Sequence, residues 1–145
     1  MGVEESRMST LLSRRLTRSV AADFFRPLAR PSAPIYVDCA DRLIDEAGEA
    51  GRLAHKETLE IIREVLAAHP SSLLDEDEGS ALRDARQRAG QFFNRLLAAG
   101  WLEDQTLGLH DRWAVIWPGM RPLLRMLRAL AEDAVAEMRN LASAL

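Results

Sequence analysis

From position 32 onward, apolar residues recur at helical spacing. Ile35, Cys39, Leu43 and Ala47 stand four apart, flanked by Tyr36 and Ile44, while Asp38, Asp41, Arg42, Asp45 and Glu46 fill the other face. That spacing predicts a helix over 32–47, with Pro34 in its first turn and Gly48 or Gly51 as its stop. A second helix, over 55–68, turns Leu59, Ile62, Val65 and Leu66 inward and Lys56, Glu57, Glu60, Arg63 and Glu64 outward, and His69 with Pro70 ends it. A third begins at Ser80, a good N-cap, and runs to the terminator Gly100. Its inward stripe is Leu82, Ala85, Ala89, Phe92, Phe93, Leu96 and Leu97; its arginines lie mostly outward.

Beyond Gly100 the period changes. "WLEDQ" and "RWAVIW" are short runs with aromatic and β-branched residues, separated by "TLGLHD", and they predict a hairpin. Trp101, next to the glycine, is placed to drop into the core beneath it. A last helix follows Pro118, with Leu123, Leu124, Leu127, Leu130, Ala134 and Met138 along one side. Three helices, a two-stranded hairpin and a following helix is the order of a winged helix-turn-helix. The expected fold is therefore mainly α (α+β), with a two-stranded wing and flanking N- and C-terminal helices. Residues 1–23 form an extension in which "STLLSRRLTRSV" has the pattern of a short amphipathic helix. Residues 24–130 form the winged-helix domain, opened by a strap, "FFRPLARPSAP", whose three prolines keep it irregular. Residues 131–145 continue as a C-terminal helix leading into a downstream region.

The bulk numbers fit that plan. A chain of 145 residues, 48% hydrophobic and 28% charged, can bury one core. No apolar run reaches the roughly 18 to 20 residues that span a bilayer, and the first 20 residues lack the apolar core of a secretory signal, so a cytoplasmic chain is expected. The net charge of -3 hides a strong asymmetry: residues 1–35 carry +3 and residues 36–79 carry -8. An acidic first half beside a reading surface would repel a phosphate backbone.

Candidate chemistry is sparse. His55, His69 and His110 are scattered without the pairing of a metal site, and Cys39, the sole cysteine, sits on an apolar helix face. Asp38, Asp41 and Asp45 share a polar helix face, and the run from Asp75 to Glu78 lacks the ligand spacing of a calcium loop, so both are expected to be solvated. With no nucleophile beside a base and no phosphate-binding glycine loop, neither catalysis, nor a cofactor, nor a metal is expected. Two binding readings remain. Arg83, Arg86, Arg88 and Arg95 lie on the helix that would enter a major groove, which suits a winged-helix DNA-binding transcriptional regulator. Against it, the wing turn has no lysine or arginine and the first strand presents Glu103 and Asp104. For a protein partner, the second strand is apolar on both faces, and Leu11, Leu12, Leu16, Phe24, Phe25, Trp113 and Trp117 are the candidate dimer contacts.

"FFRPLARPSAPIYVDCADRLIDEA", "LAHKETLEIIREVL", "ARQRAGQFFNRLLAAGWLED" and "WAVIWPGMRPLLRML" together resemble the N-terminal region of JetA, the kleisin subunit of Wadjet systems, related to the MukF and MksF kleisins. The likeness covers Phe24 to Leu130, with the phenylalanine-proline strap and the Gly100-Trp101-Leu102-Glu103 junction as its best features. It implies a bridging subunit of a bacterial SMC complex that defends against plasmids. The N-terminal winged helix would then pair with a second copy, and the full complex would add an SMC ATPase and small accessory (KITE) subunits. DNA contact would be indirect or weak. No catalytic residues carry over, and the chain is expected to be the N-terminal piece of a longer kleisin.

Overall fold

The apolar stripes become helices close to where their spacing places them. A computed structural model describes residues 11–75, 78 and 84–144. Its α-helices are α1 (Leu12–Ser19), α2 (Ala33–Ala47), α3 (His55–Ala68), α4 (Ala85–Ala98) and α5 (Met120–Ala144), and its strands are β1 (Arg52–Ala54), β2 (Leu102–Leu107) and β3 (Asp111–Ile116). It is a mainly helical winged-helix-like fold. One boundary moves. The third helix starts at Ala85, not Ser80, because Asp84 is extended (ψ 174°) and caps it: the Gln87 backbone N–H donates to the Asp84 carboxylate, and the Asp84 N–H to the Gln87 side chain. Ser80, Leu82 and Arg83 lie outside the described residues.

The hairpin pairs Leu102 with Ile116 through to Leu107 with Asp111. A third strand, β1, joins the other edge of β3, so the sheet order is β1-β3-β2. Its three residues are too few to show a period in sequence. They pair nonetheless, Leu53 opposite Ala114, and the Ile116 N–H donates to the Gly51 carbonyl at 2.9 Å. Both edges of the apolar strand are thereby satisfied.

The core lies where α2, α3, α4 and the inner sheet face meet. Ile35, Tyr36, Cys39 and Leu43 from α2 pack with Ile62 from α3, Phe92, Phe93 and Leu96 from α4, and Trp101. Tyr36 and Phe92 rings stand 4.8 Å apart. Each large side chain taken fully from water contributes roughly 1.5–3 kcal/mol. Ala85, placed on the inward stripe by spacing, is exposed in the first turn of α4.

The α4–β2 junction organises the rest. Gly100 takes a positive φ of 76°, and a Cβ there would stand 2.9 Å from that of Ala21. The reversal drops Trp101 inward, and its indole N–H donates to the Phe24 carbonyl at 2.8 Å. The Phe24 ring then lies 5.3 Å from that of Trp117. The strap is thus clamped between two tryptophans, with Pro27 also buried. Trp117 in turn covers Gly119, where any Cβ would overlap its ring. α5 leaves from this point. It packs Met120 and Leu124 fully, and Leu123 and Leu127 partly, against the core. From Arg128 to Ser143 every described side chain is exposed, and the helix runs unbroken across position 130.

Candidate interaction surface

The seven apolar residues singled out by sequence separate into three environments. Leu11, Leu12, Leu16 and Phe25 are exposed, and no residue of α1 is buried. Phe24 is the correction: at 4% exposure it belongs to the core, because the Trp101 and Trp117 rings enclose it. A buried anchor of its own fold is not a free contact. Trp113 and Trp117 are half-buried.

The sheet explains why. Ala114 and Ile116 are buried on the inner face, while Trp113, Val115 and Trp117 alternate onto the outer one. The outer face is only partly covered. The Arg52 guanidinium sits 4.7 Å over the Trp113 ring, and Phe24 stands against Trp117. An arginine brought in by β1 therefore shields a tryptophan that the hairpin alone would leave bare.

At the far end of the sheet, on the inner face, Arg112 donates to the Asp104 carboxylate through Nε and Nη2, and its Nη1 lies 3.2 Å from His55 Nε2. The hydrogen bonds from Arg112 hold the Asp104 carboxyl below its ordinary range. His55 stacks edge-on against Phe93 with centroids 4.8 Å apart. Burial first, and the Arg112 charge second, lower its pKa. This cluster spans β2, β3 and α3 and fastens the hairpin to the helices.

The groove-reading arginines fare differently from one another. Arg83 lies outside the described residues, Arg86 is exposed and Arg88 is half-buried. Arg95 is turned inward and engaged by the chain itself. Its guanidinium stands 2.9 Å from Glu78 and 3.4 Å from the Tyr36 hydroxyl. Glu78 is wholly buried, accepting from the Ser32 and Tyr36 hydroxyls at 2.9 and 2.7 Å. Asp75 accepts from Arg30 at 2.7 Å. Burial opposes ionisation of Asp75, but the Glu78 backbone N–H and the Arg30 and Arg95 cations outweigh it and keep its carboxyl below the usual range. Burial pushes the Tyr36 hydroxyl well above its ordinary pKa.

This corrects two expectations. Arg95 is not offered to a phosphate backbone, because a buried carboxylate already answers it. The acidic connection is not simply solvated either, since Asp75 and Glu78 tie it to α2 and α4. The spacing Ser32, Tyr36 and Arg95 carried no visible signal, because its partner arrives from a loop without periodicity.

Three further polar candidates also have structural partners. Asp38 meets His69 at 2.6 Å, and Asp41 pairs with Arg128, fixing α5 to α2. Cys39 is buried, its thiol pushed up to about 12 by that burial. Among the described residues, no group of three metal-ligating side chains stands together, and no helix is long and apolar enough to cross a membrane.

Comparison with known proteins bears on this arrangement. Residues 43–144 match the model of a protein family described as Wadjet protein JetA. The match takes in the sheet and α3 to α5. No curated protein and no solved structure matches the chain.

Proposed function

The chain belongs to the JetA family, and from that premise we propose that it is a non-catalytic winged-helix dimerisation domain of a kleisin subunit. The subunit works in a bacterial SMC complex that restricts plasmid DNA. The observation that carries this reading is the family match over residues 43–144. Apolar side chains left in solvent, Leu11, Leu12, Leu16 and Phe25 among them, support a second copy as the immediate partner. In the cytoplasm the pair would serve an SMC ATPase and small accessory subunits. DNA contact is indirect or weak in this reading.

The rival, a transcriptional regulator, has less to stand on. Arg95 is held by Glu78, and β2 presents exposed Glu103 beside the wing. Sedimentation equilibrium at tens of micromolar tests the main reading. A dimer that weakens when Leu16→Asp is introduced is expected; a monomer at that concentration overturns it.

A further inference from the structure

Among the described residues, two helical stretches carry an uncovered apolar stripe, and their charges are opposite. α1 sets Leu12 and Leu16 one turn apart, at 63% and 37% exposure, with Leu11 just before them. Arg14, Arg15 and Arg18 share that helix with Ser13, Thr17 and Ser19, and it contains no acid. The distal half of α5 exposes Leu130, Met138 and Leu141 at 57%, 71% and 64%, with Ala134 on the same stripe. Asp133 and Glu137 border it, while Glu132 and the cation Arg139 lie on the other side of the helix. The lengths agree too: 11–19 spans about 12 Å and 130–141 about 17 Å at helical rise.

We propose that α1 of one copy docks along the 130–141 stripe of α5 in a second copy, reciprocally, so that the contact is made twice about a two-fold axis. This rests on the self-association proposed above and names its surfaces. Within one chain both stripes stay exposed, and α1 is too short to reach the far end of the α5 stripe. α1 is tethered where α5 begins: Val20 packs on the core, Ala21 abuts Gly100, and Phe24 stands against Trp117, whose carbonyl accepts from the Met120 N–H. From that anchor Leu16 and Leu12 lie about 6 and 12 Å along α1, whereas Leu130 and Leu141 lie about 15 and 32 Å along α5. The nearer half of α5 is already packed. A second copy has no such tether.

Cross-linking and charge exchange in the full chain test this. A Leu16→Cys chain mixed with a Met138→Cys chain should give a disulfide-linked heterodimer on oxidation. Arg14→Glu/Arg15→Glu/Arg18→Glu should weaken self-association about tenfold, and adding Asp133→Arg/Glu137→Arg should restore it. A dimer that neither cross-links nor responds to the charge changes overturns this placement and leaves dimerisation standing. A monomer in sedimentation overturns both. A Leu16→Cys/Met138→Cys chain that cross-links only within itself overturns the exchange between copies.

Discussion

The middle of the chain and its two ends follow the same sequence pattern to opposite results. α2 and α4 carry apolar stripes and bury them: Ile35, Tyr36, Cys39 and Leu43 face Phe92, Phe93 and Leu96 with almost no exposed area. α1 and the distal half of α5 carry stripes of similar regularity and bury nothing. The difference lies in what the topology brings opposite each stripe. α2 and α4 meet across the core, Tyr36 against Phe92, while the stripes of α1 and the end of α5 stay exposed. A periodic stripe therefore specifies which side of a helix is apolar, and only the surrounding fold decides whether water is excluded there.

The largest effect should come from removing a central side chain. Trp101→Ala loses a fully buried indole and its hydrogen bond to the Phe24 carbonyl, so unfolding free energy should fall by about 3–5 kcal/mol. Leu12→Ala, at the exposed end of the comparison, should shift it by less than about 0.5 kcal/mol. Urea denaturation at protein concentrations too low for association measures both. Comparable losses from the two variants would mean that α1 packs on the domain after all.

A second contrast separates acids that sequence alone treats alike. Glu78→Ala removes the partner of Arg95 and leaves the Ser32 and Tyr36 hydroxyls without their acceptor, which should cost about 3 kcal/mol. Glu46→Ala, on the exposed face of α2, should change stability by less than about 0.5 kcal/mol. Thermal unfolding of the two variants side by side decides it. A Glu78 variant as stable as the parent would mean that the network contributes nothing net.

Two glycines on one helix and its exit sharpen the backbone side of the comparison. Gly100→Ala meets both a positive φ and the Ala21 Cβ, and should destabilise by about 1–2 kcal/mol. Gly90, inside α4, has open space around a built Cβ, so Gly90→Ala should stabilise by about 0.5–1 kcal/mol. Opposite signs in chemical denaturation are the expected outcome. Equal signs would mean that the junction tolerates an ordinary residue.

How much of this was legible depends on the range of the interaction. The helices over 32–47 and 55–68 and the hairpin follow from local spacing and terminators, and Trp101 beside its glycine follows from one junction. Strand β1 does not, because three residues show no period and its partner Ala114 lies some sixty positions away. Glu78 and Arg95 do not either, since their pairing joins a loop to a helix and neither end signals it. The burial of Phe24 is hidden from the sequence for a related reason. Its neighbours along the chain are irregular, and the tryptophans that enclose it come from the other end of the fold.

The smallest expected effect concerns how the hairpin is fastened. His55 stays neutral more readily in the folded chain than in the unfolded one, because burial and the Arg112 cation both disfavour its proton. The unfolded state therefore binds more protons once the pH falls to the ordinary value of 6.5 and below, so this contribution is present above that value and is lost on acidification through the lower folded-state pKa. Asp104 and Asp75 act in the same direction, but their depressed values confine the loss to the region near and below their ordinary 3.8. Between about pH 6.5 and 5 the slope should belong to His55. Melting temperature should decline modestly across that interval, and His55→Asn should flatten the decline while leaving the acid limb in place. A slope unchanged by the substitution would mean that the cluster of His55, Arg112 and Asp104 does not couple protonation to the attachment of the sheet.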